Sequence, residues 1–264
     1  NFLPKLLTIQ GLICIITKDF QDILPFYENL SNNISKFLCI RLFKTLSNIV
    51  PSIFYCDITD IGIDPNILSL LPRERQERIQ TSVRYMKAKQ LYVSSLLLHF
   101  ILMKHGINNP EIKISDNGKP YIDSQLRFNL SHSGNYVVLA IDPYHPIGID
   151  IQEKRPFPKH TDKFFIGETT AEIPSFAMRF PNAYIWCRKE ALLKCLGVGW
   201  NGLEEQSLPV LNDITVYKQT KYYFTDYIIS ENYFTTLCEK YTHKKFKVQE
   251  VAYHELALFY STGT

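Results

Sequence analysis

The sequence predicts an α+β fold of two similar α/β subdomains with a ligand cleft between them, and three observations carry that prediction. Strand-like and helix-like runs follow one another in the order strand, helices, strands, first upstream and then downstream of the middle of the chain. Phe54-Tyr55-Cys56-Asp57-Ile58 is echoed 93 positions later by Ile147-Gly148-Ile149-Asp150-Ile151, and Ser133-Gly134-Asn135-Tyr136 is echoed 97 positions later by Ser230-Glu231-Asn232-Tyr233. At 264 residues there is material for one large domain or two small ones with a sizeable core.

Residues 1–51 stand apart. Asp22–Val50 is apolar at Ile23, Phe26, Tyr27, Leu30, Ile34, Phe37, Leu38, Leu42, Leu46 and Ile49, close to helical spacing, with Ser31-Asn32-Asn33 as a break and cap. A helical extension packed on the main body is the plainer reading. A membrane-surface or partner-docking helix is the other, though its polar face is only weakly basic.

Ser52–Ile58 reads as a strand, and Pro72 as the first-turn residue of a helix running to Met86. A second helix, Lys87–Lys104, is strongly apolar from Leu91 to Leu102 and closes on Gly106. Arg73, Arg75, Arg78, Arg84, Lys87 and Lys89 make this the most basic region, either a solvated helix face or a phosphate-binding patch. Ile112–Ile114 is a short strand and Asp116-Asn117-Gly118-Lys119-Pro120 a tight turn.

Phe128–Gln152 holds two strand-like runs joined by a turn that contains proline, with Ser131-His132-Ser133-Gly134 at one end. Asp150 and Gln152 stand two apart at the other, a spacing that puts both side chains on one strand face, where oxygen ligands can converge on a cation. After a helix-like region from Lys163 to Glu172, Asn182 caps a helix that Gly197 stops. Trp186, Glu190 and Lys194 share one face of it, a surface ion pair or a carboxylate and an ammonium projecting into a cleft. From Leu208 to the end, richness in Tyr, Phe, Thr, Ile and Val predicts strands.

A formal net charge of +3 gives no reason to expect a general nucleic-acid-binding surface. The six cysteines, at 14, 39, 56, 187, 195 and 238, form no CxxC pair and no zinc-like spacing, so they read as reduced thiols of a cytoplasmic protein. The apolar run Leu6–Ile16 is too short and too interrupted to span a bilayer, and no small-residue cleavage site follows it.

Gly118-Lys119-Pro120, Phe128-Asn129-Leu130-Ser131-His132-Ser133-Gly134, Gly148-Ile149-Asp150-Ile151-Gln152 and Trp186-Cys187-Arg188-Lys189-Glu190-Ala191 remain to be explained jointly. In this order and spacing they resemble the motifs of the 4′-phosphopantetheinyl transferase superfamily, larger pseudo-dimeric (surfactin-synthetase-activating) class, over roughly residues 52–240. The resemblance implies two subdomains in pseudo-two-fold arrangement, 52–145 and 146–264, each a small mostly antiparallel sheet packed with helices, with the active-site cleft between them. Residues 1–51 lie outside it.

The activity implied is Mg²⁺-dependent transfer of the phosphopantetheine arm of coenzyme A to a serine of an acyl or peptidyl carrier protein. That protein would serve fatty acid, polyketide or nonribosomal peptide synthesis. The resemblance places Asp150, Gln152 and Glu190 at the metal, and Ser131, His132 and Lys194 on the phosphates. It puts Lys119 at the nucleotide end, Lys189 in support, and Lys89 near the 3′-phosphate, with Arg84 and Arg75 as further cations. Glu190, through a metal-bound water, or Glu168 would be the general base. Gln152 departs from the pattern, which has glutamate there, so two carboxylates stand where three are usual and weaker metal binding is expected. A non-catalytic module that binds coenzyme A or a carrier protein is the alternative. An acidic helical carrier would meet a mixed basic and apolar surface from Lys163, Phe164, Phe165 and Arg188. The chain is expected to be a monomer with an internal pseudo-dimer and no transmembrane segment.

Overall fold

The computed structural model describes residues 49–157, 161, 168, 172–201, 207–240 and 245–262. The expected N-terminal extension up to residue 48, and the expected surface residues Lys163, Phe164 and Phe165, lie outside them. The first half opens on β1 (Ser52–Asp57), followed by three helices, α1 (Pro65–Ser69), α2 (Arg73–Gln80) and α3 (Tyr85–Lys104). The small hairpin β2 (Lys113–Ile114) and β3 (Pro120–Tyr121) precedes the longer hairpin β4 (Arg127–Ser133) and β5 (Tyr136–Asp142). The second half runs through β6 (Ile147–Glu153), α4 (Pro181–Leu196), β7 (Ile214–Tyr217), β8 (Thr220–Tyr227) and β9 (Tyr233–Lys240). A tail of β10 (Lys247–Glu250) and α5 (Tyr253–Thr262) follows.

Period-two patterning sorts these strands into layers. On β5, Val137, Leu139 and Ile141 face a core shared with α1, α2, α3 and α5, while Val138 and Ala140 face the second sheet. On β6, Ile147, Ile149 and Ile151 face the first sheet, which turns Gly148, Asp150 and Gln152 toward α4. The result is helices, sheet, sheet, helix, with a core in each gap.

The strand orders β10-β1-β5-β4 and β6-β9-β8-β7 repeat one another, β1-β5-β4 matching β6-β9-β8. Asp57 pairs with Tyr136 as Glu153 pairs with Tyr233, so the strands repeat at 96 residues and the hairpin ends at 97. The 97-residue echo in the sequence is therefore the structural one, and the 93-residue echo is not. A shift of 93 equates Phe54, which faces helices, with Ile147, which faces the other sheet; an odd error exchanges the faces.

Three elements differ from expectation. The helix after Pro72 stops at Gln80, where the Thr81 hydroxyl donates to the Glu77 carbonyl, and α3 restarts at Tyr85. Pro181 rather than Asn182 starts α4, its fixed φ suiting the first helical position, while Gly197, left-handed at φ 76°, ends it as expected. The tail is not all strand: α5 forms there, with Glu255 accepting from the Ala252 N–H as in a capping box. The tail also leaves the second half. β10 pairs in parallel with β1, and Val251 and Leu256 enter the core of the first half.

Candidate active site

The two sheets pack face to face, and along one side their edge strands β4 and β6 lie against each other; the residues of interest lie along that junction. An edge strand leaves alternate N–H groups unpaired. Those of β6 are met by side chains of β4: Ile149 N–H donates to Asn129 Oδ1 at 2.8 Å, Ile151 N–H to Ser131 Oγ at 3.4 Å, and Glu153 N–H to Ser133 Oγ at 3.0 Å. The Asn-x-Ser-x-Ser alternation is thus a polar zipper. On the opposite face of the strand, Phe128 and Leu130 pack on the helix-facing core.

Helix α4 lies directly on β6. A Cβ at Gly148 would come within 2.1 Å of the Ala191 carbonyl oxygen and 2.3 Å of the Cys195 nitrogen, so only glycine permits this approach. The closeness brings Glu190 and Lys194 beside Asp150. Asp150 Oδ1 accepts from Ser131 Oγ and from Lys194 Nζ, both at 2.6 Å, and Lys194 also donates to Ser131 Oγ at 3.0 Å and Ile149 O at 3.3 Å. Glu190 Oε2 stands 3.8 Å from the same ammonium, and Glu190 Oε1 accepts the indole N–H of Trp200. Trp200 stacks on Trp186, ring centroids 4.4 Å apart.

The charges here are under tension. Burial pushes the Asp150 carboxyl up to about 6 and Glu190 adds to the rise, against the pull of Lys194 and Ser131. Burial also opposes the Lys194 ammonium, but Asp150 and Glu190 outweigh it and leave its pKa raised. His132 is pushed down to about 4 by burial, with the charges of Lys87 and Lys194 adding, so it is neutral near pH 7 and accepts from Lys87 Nζ at 2.9 Å. Lys87 is itself lowered by burial, Arg78 and Lys194. Among the described residues, Arg75, Arg78, Arg84 and Lys87 have no carboxylate partner. Lys87 and Lys194, cations that repel one another, beside a pair of carboxylates suit a polyanion together with a divalent ion.

The oxygen donors that could hold such an ion are two carboxylates and the Gln152 amide; no group of three or more His, Cys, Asp or Glu placed for a metal occurs among the described residues. Gln152 is buried, its amide nitrogen donating to the Glu153 carbonyl. Asp150 Oδ2 is buried and has no hydrogen-bond partner, an oxygen without its usual satisfaction.

Of the expected site residues, Ser131, Asp150, Glu190 and Lys194 form one cluster, His132 flanks it, and Gln152 shares the strand face of Asp150. Other expectations find different surroundings. Lys89 is buried and its ammonium reaches the Thr59 carbonyl at 3.1 Å, while its neighbour Lys87 reaches the cluster. Arg84 is exposed at the start of α3, and Arg75 is half-buried on α2 with its pKa lowered by burial. Glu168 and Lys189 form a buried ion pair at 3.1 Å, the carboxylate also accepting from Val210 N–H, so Glu168 is held away from the cluster. Lys119 donates to the carbonyls of Ile147 and Lys194 at 3.0 and 2.6 Å. Arg188, expected at the surface, is only 2% exposed and joins Asp226, Asp213 and the Tyr184 hydroxyl. Sequence reasoning gave Asn129 and Trp200 no role of their own and named Lys87 only within the basic patch. Asn129 was signalled by the polar alternation of β4, and Lys87 by the basic run; nothing local marks Trp200.

Comparison with known proteins points one way. Residues 65–144 match the family model described as 4′-phosphopantetheinyl transferase, N-terminal, and residues 146–250 that of the 4′-phosphopantetheinyl transferase superfamily. The 4′-phosphopantetheinyl transferase gsp of Aneurinibacillus migulanus is 32% identical over 149 residues, 52% of this chain and 62% of that protein. A 4′-phosphopantetheinyl transferase of Bacillus subtilis is 27% identical over 149 residues, covering 52% and 65%. The L-aminoadipate-semialdehyde dehydrogenase-phosphopantetheinyl transferase of Rattus norvegicus is 30% identical over 185 residues, 59% of each chain. The match thus spans less than two thirds of each of these relatives. No helix among the described residues is long and apolar enough to cross a membrane.

Proposed function

The chain belongs to the 4′-phosphopantetheinyl transferase superfamily, and from that premise we propose that it moves the phosphopantetheine arm of coenzyme A onto a serine hydroxyl of an apo carrier protein. The observation that carries the reading is the junction itself. Two carboxylates, Asp150 and Glu190, and the Lys194 ammonium converge beside Ser131 at the seam of the two sheets, with Lys87 on His132 next to them. Asp150 and Glu190, with the Gln152 amide oxygen, would hold Mg²⁺. The fit rests on the unsatisfied Asp150 Oδ2 and on a position between the two carboxylates that already accommodates an ammonium. When bound, the ion supplies positive charge to the pyrophosphate.

The roles of the protein groups follow. Lys194 and Lys87 neutralise phosphate oxygens, Ser131 offers a hydroxyl, and neutral His132 offers a ring N–H. The carrier serine oxygen bonds to the phosphorus that bears pantetheine, and the bond from that phosphorus to the bridging oxygen breaks. Its electron pair leaves with adenosine 3′,5′-bisphosphate, whose new charge Lys194 balances. Glu190 takes the serine proton: its side chain is 19% exposed, against 6% for Asp150 and 3% for Glu168, so it is the carboxylate a hydroxyl can approach.

Mass spectrometry of apo carrier proteins incubated with the chain, coenzyme A and Mg²⁺ tests this. One phosphopantetheine of added mass is expected, lost with Asp150→Ala or Glu190→Ala; wild-type rates in either variant would refute the assignment. One observation favours a second reading, a binding module without turnover: the donor set lacks a third carboxylate. Transfer seen only after Gln152→Glu would establish that reading and remove the first.

A further inference from the structure

The last turn of a helix leaves carbonyl oxygens without intrahelical partners. At the end of α4 the Gly197 and Val198 N–H groups serve Leu193 O, at 2.8 and 3.2 Å. Two other carbonyls there are served from the opposite half of the molecule. Asn117 Nδ2 donates to Gly197 O at 2.9 Å, and Lys119 Nζ donates to Lys194 O at 2.6 Å. The same ammonium reaches Ile147 O, at the first residue of β6, at 3.0 Å. One tight turn therefore grips the end of the helix that carries Glu190 and Lys194 and the start of the strand that carries Asp150. A cation at a helix C-terminus also meets the negative end of the helix dipole.

A lysine ammonium has three donors. Two of those on Lys119 are fixed on backbone carbonyls, where the charge is buried enough to depress its pKa, burial being the largest cause. That is the setting of a structural clamp, not of a side chain waiting for a nucleotide.

We propose that Asn117 and Lys119 are positioning residues that cap α4 from the other half of the protein and hold Lys194 and Glu190 in register with Asp150. The kinetic arm of its test rests on the transferase reading; the exchange arm does not.

In the full chain, Lys119→Met and Asn117→Ala should raise amide exchange at residues 194–197 about tenfold relative to β1 and β5. Lys119→Arg, which keeps the charge and the donors, should restore most of the protection. In the transfer assay Lys119→Met should lower kcat by about 10²-fold through misplacement of the cluster, with KM for coenzyme A changed by less than about twofold. The loss should be equal with coenzyme A and with dephospho-coenzyme A, which lacks the 3′-phosphate. A nucleotide contact would instead raise KM and leave kcat near wild type, with both substrates if it is to the adenosine and with coenzyme A alone if it is to the 3′-phosphate, and either result overturns the proposal. So does unchanged exchange at 194–197 in both variants, Asn117→Ala being the milder one if Lys119→Met does not fold. A wild-type chain that transfers nothing refutes the transferase reading, and exchange then decides the capping alone.

Discussion

Gly148→Ala should uncouple the fold from the site. The new Cβ would sit 2.1 Å from the Ala191 carbonyl oxygen and 2.3 Å from the Cys195 nitrogen, both backbone atoms of α4 that cannot rotate away. To bring the nearer contact to an ordinary van der Waals distance, α4 must retreat from β6 by more than about 1 Å or the strand must bow by as much. Overpacking of this kind costs about 1–3 kcal/mol. The same shift is applied to the Lys194–Asp150 contact, now 2.6 Å, and to Glu190 beside it. A displacement of that size in a reacting cluster costs about 10²-fold in rate. Urea unfolding and transfer of a fluorescent coenzyme A conjugate to a carrier protein measure the two effects on one sample. The expected result is a folded, moderately destabilised protein with kcat down disproportionately to its loss of stability. A variant with wild-type stability and wild-type kcat would refute the claim that glycine is required for helix and strand to meet here.

Trp200→Phe keeps a ring on Trp186 but removes the indole donor to Glu190 Oε1; about tenfold lower kcat is expected with little change in thermal unfolding, and an unchanged kcat would exclude a part for that hydrogen bond. Glu168→Gln should destabilise the fold by about 3–5 kcal/mol by stranding the buried Lys189, whereas the double variant Glu168→Leu with Lys189→Met should recover most of the stability and still transfer. A folded double variant without transfer would return Glu168 to the list of bases. His132, with its folded pKa at about 4, takes up its proton later than the unfolded chain as pH falls, so its share of stability is full above pH ~6.5 and is lost on the way down to about 4. Unfolding free energies of His132→Gln and wild type should diverge over that window by up to roughly 3 kcal/mol, and parallel curves would show that the imidazole is not held neutral.

What the sequence made legible was set by the range of the signal. Period-two alternation in Phe128–Gly134 and Ile147–Gln152 is local, so strands, faces and the Asp150–Gln152 pairing could be read directly. Helical spacing likewise put Glu190 and Lys194 on one face. The partners that decide what a charge does are distant in sequence. Nothing near Lys89 tells of the Thr59 carbonyl, nothing near Lys119 of the Lys194 carbonyl, and nothing near Arg188 of Asp226. Those three side chains were read as free cations because their partners come from other elements. The tail misled for a similar reason: its aromatic and β-branched composition suits strands, while the Glu255 cap and packing on the first core make Tyr253–Thr262 a helix.

The repeat also raises the question of why, among the described residues, there is one cluster and not two. Equivalence at 96 and 97 residues sets Phe54 where Asp150 stands, and Tyr227 where Ser131 stands, because Ser131 pairs with Val138 as Tyr227 pairs with Thr235. Phe54 has no oxygen to offer a cation, and the Tyr227 hydroxyl is turned to the Phe246 N–H, from which it accepts at 3.0 Å. The edges differ as well. The outer edge of β6 meets the side chains of β4, which leaves room for hydroxyls, a carboxylate and an ammonium between backbones. The corresponding edge of β1 is closed by β10 through backbone pairing from Ser52–Lys247 to Tyr55–Glu250. A backbone ladder brings strands to about 4.8 Å and leaves no space for such a zipper. The tail that crosses back to the first half therefore breaks the equivalence of the two junctions, and the chemistry is confined to the junction that side chains, rather than a strand, hold together.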